Sequence, residues 1–408
     1  MPGGLLLGGG LILLGALVEQ PLVVVLGVIA TLIEAVRLLW RRSGASRIVY
    51  RRHFGHDRAV VGDEVPLTVV AWNRSRLPLA WVRAEDQVSR GLVIAERALV
   101  QTEDFGQALA NAWTLAPSER VTRHFRARAV RRGVHAIGPA RVAVGDLFAA
   151  RAAELSVASV ERLVVRPRTV AVAGLEQRTR WAGSERARRG LSEHLMSYAG
   201  LRDYRPGDPV RRIHHLASAR AGKPLVKRFD PAREREVLIA LDIQTVEGPA
   251  WQPNYDDDLV EALCVVTASI ARRLRTDGAA VGLAVAAYSG APRPMAILPP
   301  SAGAGQVPRI LDVLARLSPF ASAPFGRLLG TLPRALRPGA EIVVVTSRDP
   351  ASWLAALRRM GASGFGVEVL AVGPSAPSTV ARARAAGIPA RTGRLDGGWA
   401  DAEGLVVA

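Results

Sequence analysis

Two groups of residues in this chain have the types and spacing to do chemistry. The first runs from Leu201 to Arg228, where Asp203 and Asp208 flank the turn Pro206-Gly207-Asp208-Pro209. Proline presets φ and glycine accepts positive φ, so these residues bend the chain. Arg202, Arg205, Arg211, Arg212, Arg220, Lys223, Lys227 and Arg228 surround the two carboxylates. Paired carboxylates can divide acid and base work between them. Ringed by guanidinium groups, they read instead as ion-pair partners. The stretch then offers a recognition surface of Arg202, Asp203, Tyr204, Arg205, Gly207, Asp208, Arg212, His214, Arg220 and Lys227. The plainer alternative is a solvated charged loop that leads into a core strand.

The second group gathers at the ends of two apolar runs. Val237 to Ile243 reads as a buried strand carrying Asp242, followed by Gln244 and Thr245. Glu341 to Thr346 reads as another, followed by Ser347, Arg348 and Asp349. In open α/β sheets, ligands sit beyond the carboxyl ends of the strands. The order of elements resembles a von Willebrand factor A-like domain. That resemblance implies a divalent cation held by hard oxygen ligands, Asp-x-Ser-x-Ser after the first strand and an Asp after a later one. Here Gln244 and Val246 stand where the two serines would be, Thr245 is out of phase, and Ser347-Arg348 replaces Ser-Asp. A guanidinium repels a metal ion, and its fork matches a carboxylate. A degenerate, metal-independent site is therefore expected at Asp242, Gln244 and Arg348, with Arg348 paired to Asp242. A short register shift would instead turn Asp349 into the cleft.

Enzyme chemistry finds little support. Gly303 and Gly305 lack the Lys-Ser/Thr pair of a phosphate-binding loop. No G-x-S-x-G elbow is present, nor a Cys/His pair with a third member. Cys264 is the only cysteine, so no intramolecular disulfide forms, and its apolar helical setting marks a buried thiol. The seven histidines show no metal-ligand spacing, and adjacent His214 and His215 point in different directions. No catalytic residue, metal or cofactor is expected.

Arg202-Asp203-Tyr204-Arg205-Pro206-Gly207-Asp208, then Arg212-Ile213-His214, Ala217, Ala219-Arg220 and Lys227, resemble the signature of a bacterial family, domain of unknown function 58. Arg132-Gly133, Gly138-Pro139 and Asp146-Leu147-Phe148 resemble the segment ahead of that signature. One departure is His215, where the family usually has Trp. The resemblance implies a membrane-anchored protein encoded beside a MoxR-type AAA+ ATPase, with that ATPase as partner in complex assembly or chaperone-like work.

The elements that must position these residues are legible as a series. Residues 1–42 hold two apolar runs, Leu5 to Val18 and Leu22 to Trp40, parted by Glu19-Gln20-Pro21. They are expected to form a transmembrane helical hairpin, with Gly8, Gly9, Gly10 and Gly15 allowing close approach. A cleaved signal peptide is the rival, though it lacks a basic n-region. Arg37, Arg41, Arg42, Arg47, Arg51 and Arg52 place the large soluble part in the cytoplasm by the positive-inside rule. The expected location is therefore the bacterial inner membrane, multi-pass.

Residues 47–168 alternate apolar and polar types, as in Val65, Leu67, Val69 and Ala71, with regular turns. This predicts an antiparallel β-sandwich-like domain. Residues 169–200 read as a basic linker, 201–236 as the signature segment, 237–390 as an α/β Rossmann-like, von Willebrand A-like domain, and 391–408 as a tail. The fold class is thus multidomain.

The net charge of +18 rests almost wholly on arginine, with Lys223 and Lys227 the only lysines. Alongside so much Ala and Gly, this fits a GC-rich coding bias. An interaction or adaptor protein without enzymatic activity is the leading expectation. The alternative is a basic membrane protein that binds polyanions, anionic lipid or nucleic acid, with no specific nucleic-acid motif.

Overall fold

The computed structural model describes residues 3–43, 47–103, 106–145, 153–175, 198–205, 213–229, 235–246, 255–290 and 294–408. The chain divides into two compact units, Met1–Val165 and Arg166–Ala408.

The first unit opens with two helices, Gly3–Leu17 and Pro21–Ser43. Their backbones approach closely: a Cβ on Gly8 would lie 2.4 Å from Thr31 Oγ1, and one on Gly27 would lie 2.7 Å from Ile12 N. Leu6, Leu13, Leu17 and Leu22 stand on the outside, exposed. The expected transmembrane hairpin is corrected here. Among the described residues, no helix is long and apolar enough to cross a membrane. The first helix has 15 residues, where about 20 are needed. The apolar run of the second, from Leu22, meets Glu34 and then Arg37 before that length is reached. The expected multi-pass inner-membrane location falls with it.

Eleven strands follow: β1 Ile48–Phe54, β2 Arg58–Val60, β3 Glu64–Asn73, β4 Leu79–Val88, β5 Leu92–Ile94, β6 Val100–Thr102, β7 Gly106–Leu115, β8 Arg120–Ala129, β9 Gly133–Gly145, β10 Ala153–Val157 and β11 Glu161–Arg166. They form two sheets, β1-β3-β8-β5 and β2-β11-β9-β4-β7-β6, with β10 also on β9. The β3–β8 ladder is antiparallel and sets Leu67 opposite Phe125. Val65, Leu67, Val69 and Ala71 turn into the core, as period-two alternation requires of a half-buried strand.

The second unit adds β12 Ala171–Ala173, β13 Tyr198–Asp203, β14 Leu225–Phe229, β15 Glu236–Leu241, β16 Ala280–Val285, β17 Ala296–Ser301, β18 Glu341–Thr346, β19 Gly366–Val372, β20 Ala390–Leu395 and β21 Gly404–Val407. The main sheet runs β12-β21-β20-β19-β18-β15-β16-β17, and β13-β14 form a separate two-stranded ribbon. This corrects the expected Rossmann-like domain. The sheet is mixed, with β17 antiparallel on β16 and β21 antiparallel on β20. It also takes β12 from the presumed linker and β21 from the presumed tail, paired in parallel. Those runs are too short to announce themselves; only the neighbouring strand, distant in sequence, satisfies their backbone groups.

The central strands β15 and β18 are apolar on both faces because both are covered. One face packs on helix Asp257–Thr276, through Leu263, Val266 and Ile270, and on helix Gln306–Arg316 through Ile310 and Leu314. The other packs on Leu328, Leu357 and Val380 of helices Phe325–Ala335, Leu354–Ala362 and Ala376–Ala385. Asp256 caps the first of these helices, accepting from Asp258 N at 3.0 Å and Leu259 N at 3.1 Å.

A buried charge network lies on β18 and β19. Arg235 forks onto Glu341 at 2.6 and 3.0 Å, and Arg391 Nε reaches Glu368 at 2.9 Å. Burial pushes the Glu368 carboxyl up to about 7, against the pull of Arg391 and with a push from Glu341. A carboxyl raised on folding contributes stability that is full below its unfolded range and lost as pH rises through the folded value. The melting temperature is therefore expected to fall between pH 6 and pH 8, and Glu368→Gln to flatten that slope. Equal slopes in thermal melts of the two proteins would reject this.

Candidate functional site

Strand β15 delivers Asp242 to the carboxyl end of the sheet, and β18 delivers Thr346, Ser347 and Arg348 beside it. The two strands are parallel neighbours, with Leu241 opposite Val345, so their following loops meet. Asp242 is buried at 2% exposure. Arg348 closes on it with Nε 2.7 Å from Oδ2 and a second guanidinium nitrogen 3.5 Å from Oδ1. Thr346 Oγ1 donates to the same carboxylate at 3.2 Å. Burial pushes the Asp242 carboxyl up, while Arg348, the Thr346 hydroxyl and the Gln244 amide draw it down.

The neighbours are engaged elsewhere. The Gln244 side-chain amide donates to Val246 O at 3.2 Å, and Thr245 Oγ1 accepts from Asp256 N at 2.8 Å. Asp349 pairs with Arg382 and accepts from Ala351 N at 2.8 Å, so it caps the next turn and Arg348 takes the cleft. Ser347 is buried, and its Oγ has no hydrogen-bond partner. Among the described residues, no three His, Cys, Asp or Glu side chains gather as a metal site. The arrangement is a carboxylate locked by a bidentate guanidinium, which favours rigid positioning over proton transfer.

The signature residues lie on a different surface. Arg202 and Asp203 close β13, and Lys227 lies on β14, in antiparallel register with Leu201. Lys223 Nζ meets Asp203 at 2.9 Å with both side chains more than half exposed. His214 caps helix His215–Ala221, its Nδ1 accepting from Ala217 N at 3.2 Å. Arg205 and Arg220 are exposed and Tyr204 is half-buried. Gly207, Asp208 and Arg212 lie outside the described residues, as does the basic stretch 176–197. The ribbon therefore presents Asp203, Arg205, Arg220 and Lys223 to solvent.

Sequence reasoning passed over two polar clusters in the first unit. Tyr50 and Arg52 on β1 converge on Asp86 of β4, and Arg97 and Arg123 converge on Asn111 of β7. The available signal was a charged or amide residue at an inward position of an alternating strand.

Residues 200–377 match a family model described as "Protein of unknown function DUF58". A curated relative, the uncharacterized protein YeaD of Bacillus subtilis (strain 168), is 25% identical over 231 residues. That match covers 55% of this chain and 52% of YeaD, so the chain spans about half the length of its relative. Among solved structures, the native Escherichia coli alpha-2-macroglobulin matches with TM-score 0.23 and 20% identity, over 31% of this chain and 7% of that one. The CARDB domain of PF1109 from Pyrococcus furiosus matches with TM-score 0.21 and 13% identity, over 30% of this chain and 89% of that one.

Proposed function

We propose that this chain, carrying the DUF58 match over residues 200–377, is a non-enzymatic interaction protein that holds its partner without a metal ion. The observation that supports this reading is the lock between Arg348 and Asp242. A carboxylate at the carboxyl end of a sheet is a natural first ligand for a hard cation. Here its charge is answered from within by a guanidinium, at 2.7 Å, in the place a cation would need. The exposed ribbon bearing Asp203, Arg205, Arg220 and Lys223 serves as the docking surface. The partner in this proposal is a MoxR-type AAA+ ATPase, as the signature resemblance implies, acting in complex assembly.

The test is affinity capture of the tagged full chain at moderate salt with identification of the bound proteins. Enrichment of an AAA+ ATPase is expected, with at least a tenfold loss (about 1.4 kcal/mol) when Asp203 and Arg220 are both changed to Ala. Both side chains are exposed, so the fold should survive. Unchanged capture by that variant would count against the ribbon. Recovery only of nucleic acid or anionic lipid, falling steeply as salt rises, would replace docking with polyanion binding.

A further inference from the structure

The inward row of β7 carries three polar side chains where an apolar core would be expected, Gln107, Asn111 and Trp113. Gln107 Oε1, Asn111 Nδ2 and Trp113 Nε1 are buried, and none has a hydrogen-bond partner among the described residues. Buried polar atoms are rarely left so, and a row of them points to a missing ligand. Asn111 is only 1% exposed.

Two arginines converge on the same spot. Arg97 donates to Asn111 Oδ1 at 3.2 Å and Arg123 donates to the same oxygen at 3.0 Å. Arg123 also donates to Ala112 O at 2.8 Å and stacks on Trp113, 4.8 Å from the ring centroid. Among the described residues, neither guanidinium has a carboxylate partner. The nearby Glu96 is already held by Arg126, through Nε at 2.6 Å and the backbone N at 2.8 Å. Two cations sharing one neutral oxygen repel each other, and burial together with Arg97 disfavours the charged form of Arg123. A cavity of about 450 Å³ adjoins, lined by Val93, Ile94, Leu99, Arg97, Glu96 and Gln107.

We propose that Arg97, Arg123 and Asn111 bind the phosphate group of a small phosphate monoester whose apolar body fills the adjoining cavity. A phosphate monoester carries close to two negative charges near neutrality, which matches two unneutralised guanidiniums; one carboxylate would leave a cation unanswered. The free Asn111 amide and the Trp113 indole supply neutral donors. Gln107 Oε1 supplies an acceptor for a ligand hydroxyl. Val93, Ile94 and Leu99 supply the apolar wall that a bare phosphate would not use.

The experiment is calorimetric titration of the full chain, at fixed ionic strength, with phenyl phosphate, inorganic phosphate and benzoate. Saturable binding is expected for phenyl phosphate, weaker binding for inorganic phosphate and weaker still for benzoate. Arg97→Ala, at an exposed position, should weaken phenyl phosphate by about tenfold or more, while Arg220→Ala leaves it unchanged. Absence of saturable binding, or equal affinity in the Arg97→Ala chain, overturns the site. Equal binding of benzoate overturns the phosphate assignment, and equal binding of inorganic phosphate overturns the role given to the cavity.

Discussion

Replacement of Arg348 by Ala is expected to destabilise the second unit by about 3–5 kcal/mol, the usual cost of leaving a buried charge without its partner. Asp242 is 2% exposed, so water cannot take over from the guanidinium. The Thr346 hydroxyl would remain, but one neutral hydrogen bond contributes less than half of such a deficit. The loss should depend on pH. Burial already raises the Asp242 carboxyl, and removing Arg348 takes away the largest opposing influence. A raised carboxyl gives stability that is full below its unfolded range near 4 and lost as pH rises through the folded value. The variant should therefore approach the parent chain in acid and fall away from it toward neutrality. Asp242→Asn combined with Arg348→Ala should recover part of the loss, since no buried charge remains. Urea unfolding at several pH values checks all three points. A pH-independent cost below about 1 kcal/mol would show that the pair is hydrated and that Asp242 is not locked.

How much of this was legible depended on whether a feature is local. Period-two alternation at Val65, Leu67, Val69 and Ala71 states a strand because each residue reports its own face. Leu259, Leu263, Val266 and Ile270 state the helix Asp257–Thr276 for the same reason, with Asp256 marking its start. The meeting of Arg348 with Asp242 was also within reach, since both follow apolar strand runs that lie side by side. Pairings at a distance were not legible. Ala171-Val172-Ala173 carries no periodic signal, and only its parallel partner β21 makes it a strand. The hairpin misled by composition: Leu, Val and Gly dominate both runs, yet length and the charges at Glu34 and Arg37 decide whether a helix spans a bilayer. The polar residues inside the sandwich were missed because the alternation test treats an inward Asp86 or Asn111 as a lapse in the pattern. Both are buried, and both are joined to arginine.

Asp86 is where the first unit should be most sensitive. Its carboxylate lies between the sheets, accepting from the Tyr50 hydroxyl and from Arg52 at 2.6 Å, with both members of the ion pair fully shielded from solvent. Arg52 also reaches the carbonyl of Ser159 and its Oγ at 3.1 Å, so it ties β1 to the segment ahead of β11. The backbone makes room for it: Gly138 has φ +98°, and a Cβ there would stand 2.6 Å from an Arg52 guanidinium nitrogen. Asp86→Ala leaves the guanidinium without a counter-charge and the Tyr50 hydroxyl without an acceptor, an expected loss of about 3–5 kcal/mol. Burial pushes the Asp86 carboxyl up to about 6, while Arg52 and Tyr50 pull it down. The raised value means that its contribution is full in acid and declines as pH climbs through about 6. Amide exchange of β1 and β4 should therefore quicken between pH 5 and pH 8 beyond the intrinsic rate change in the parent chain. The Asp86→Ala chain, already less protected, should lack that extra step because the titrating group is gone. Protection in Asp86→Ala equal to the parent would mean that the apolar faces alone hold the two sheets together and that the Tyr50–Asp86–Arg52 network adds no stability.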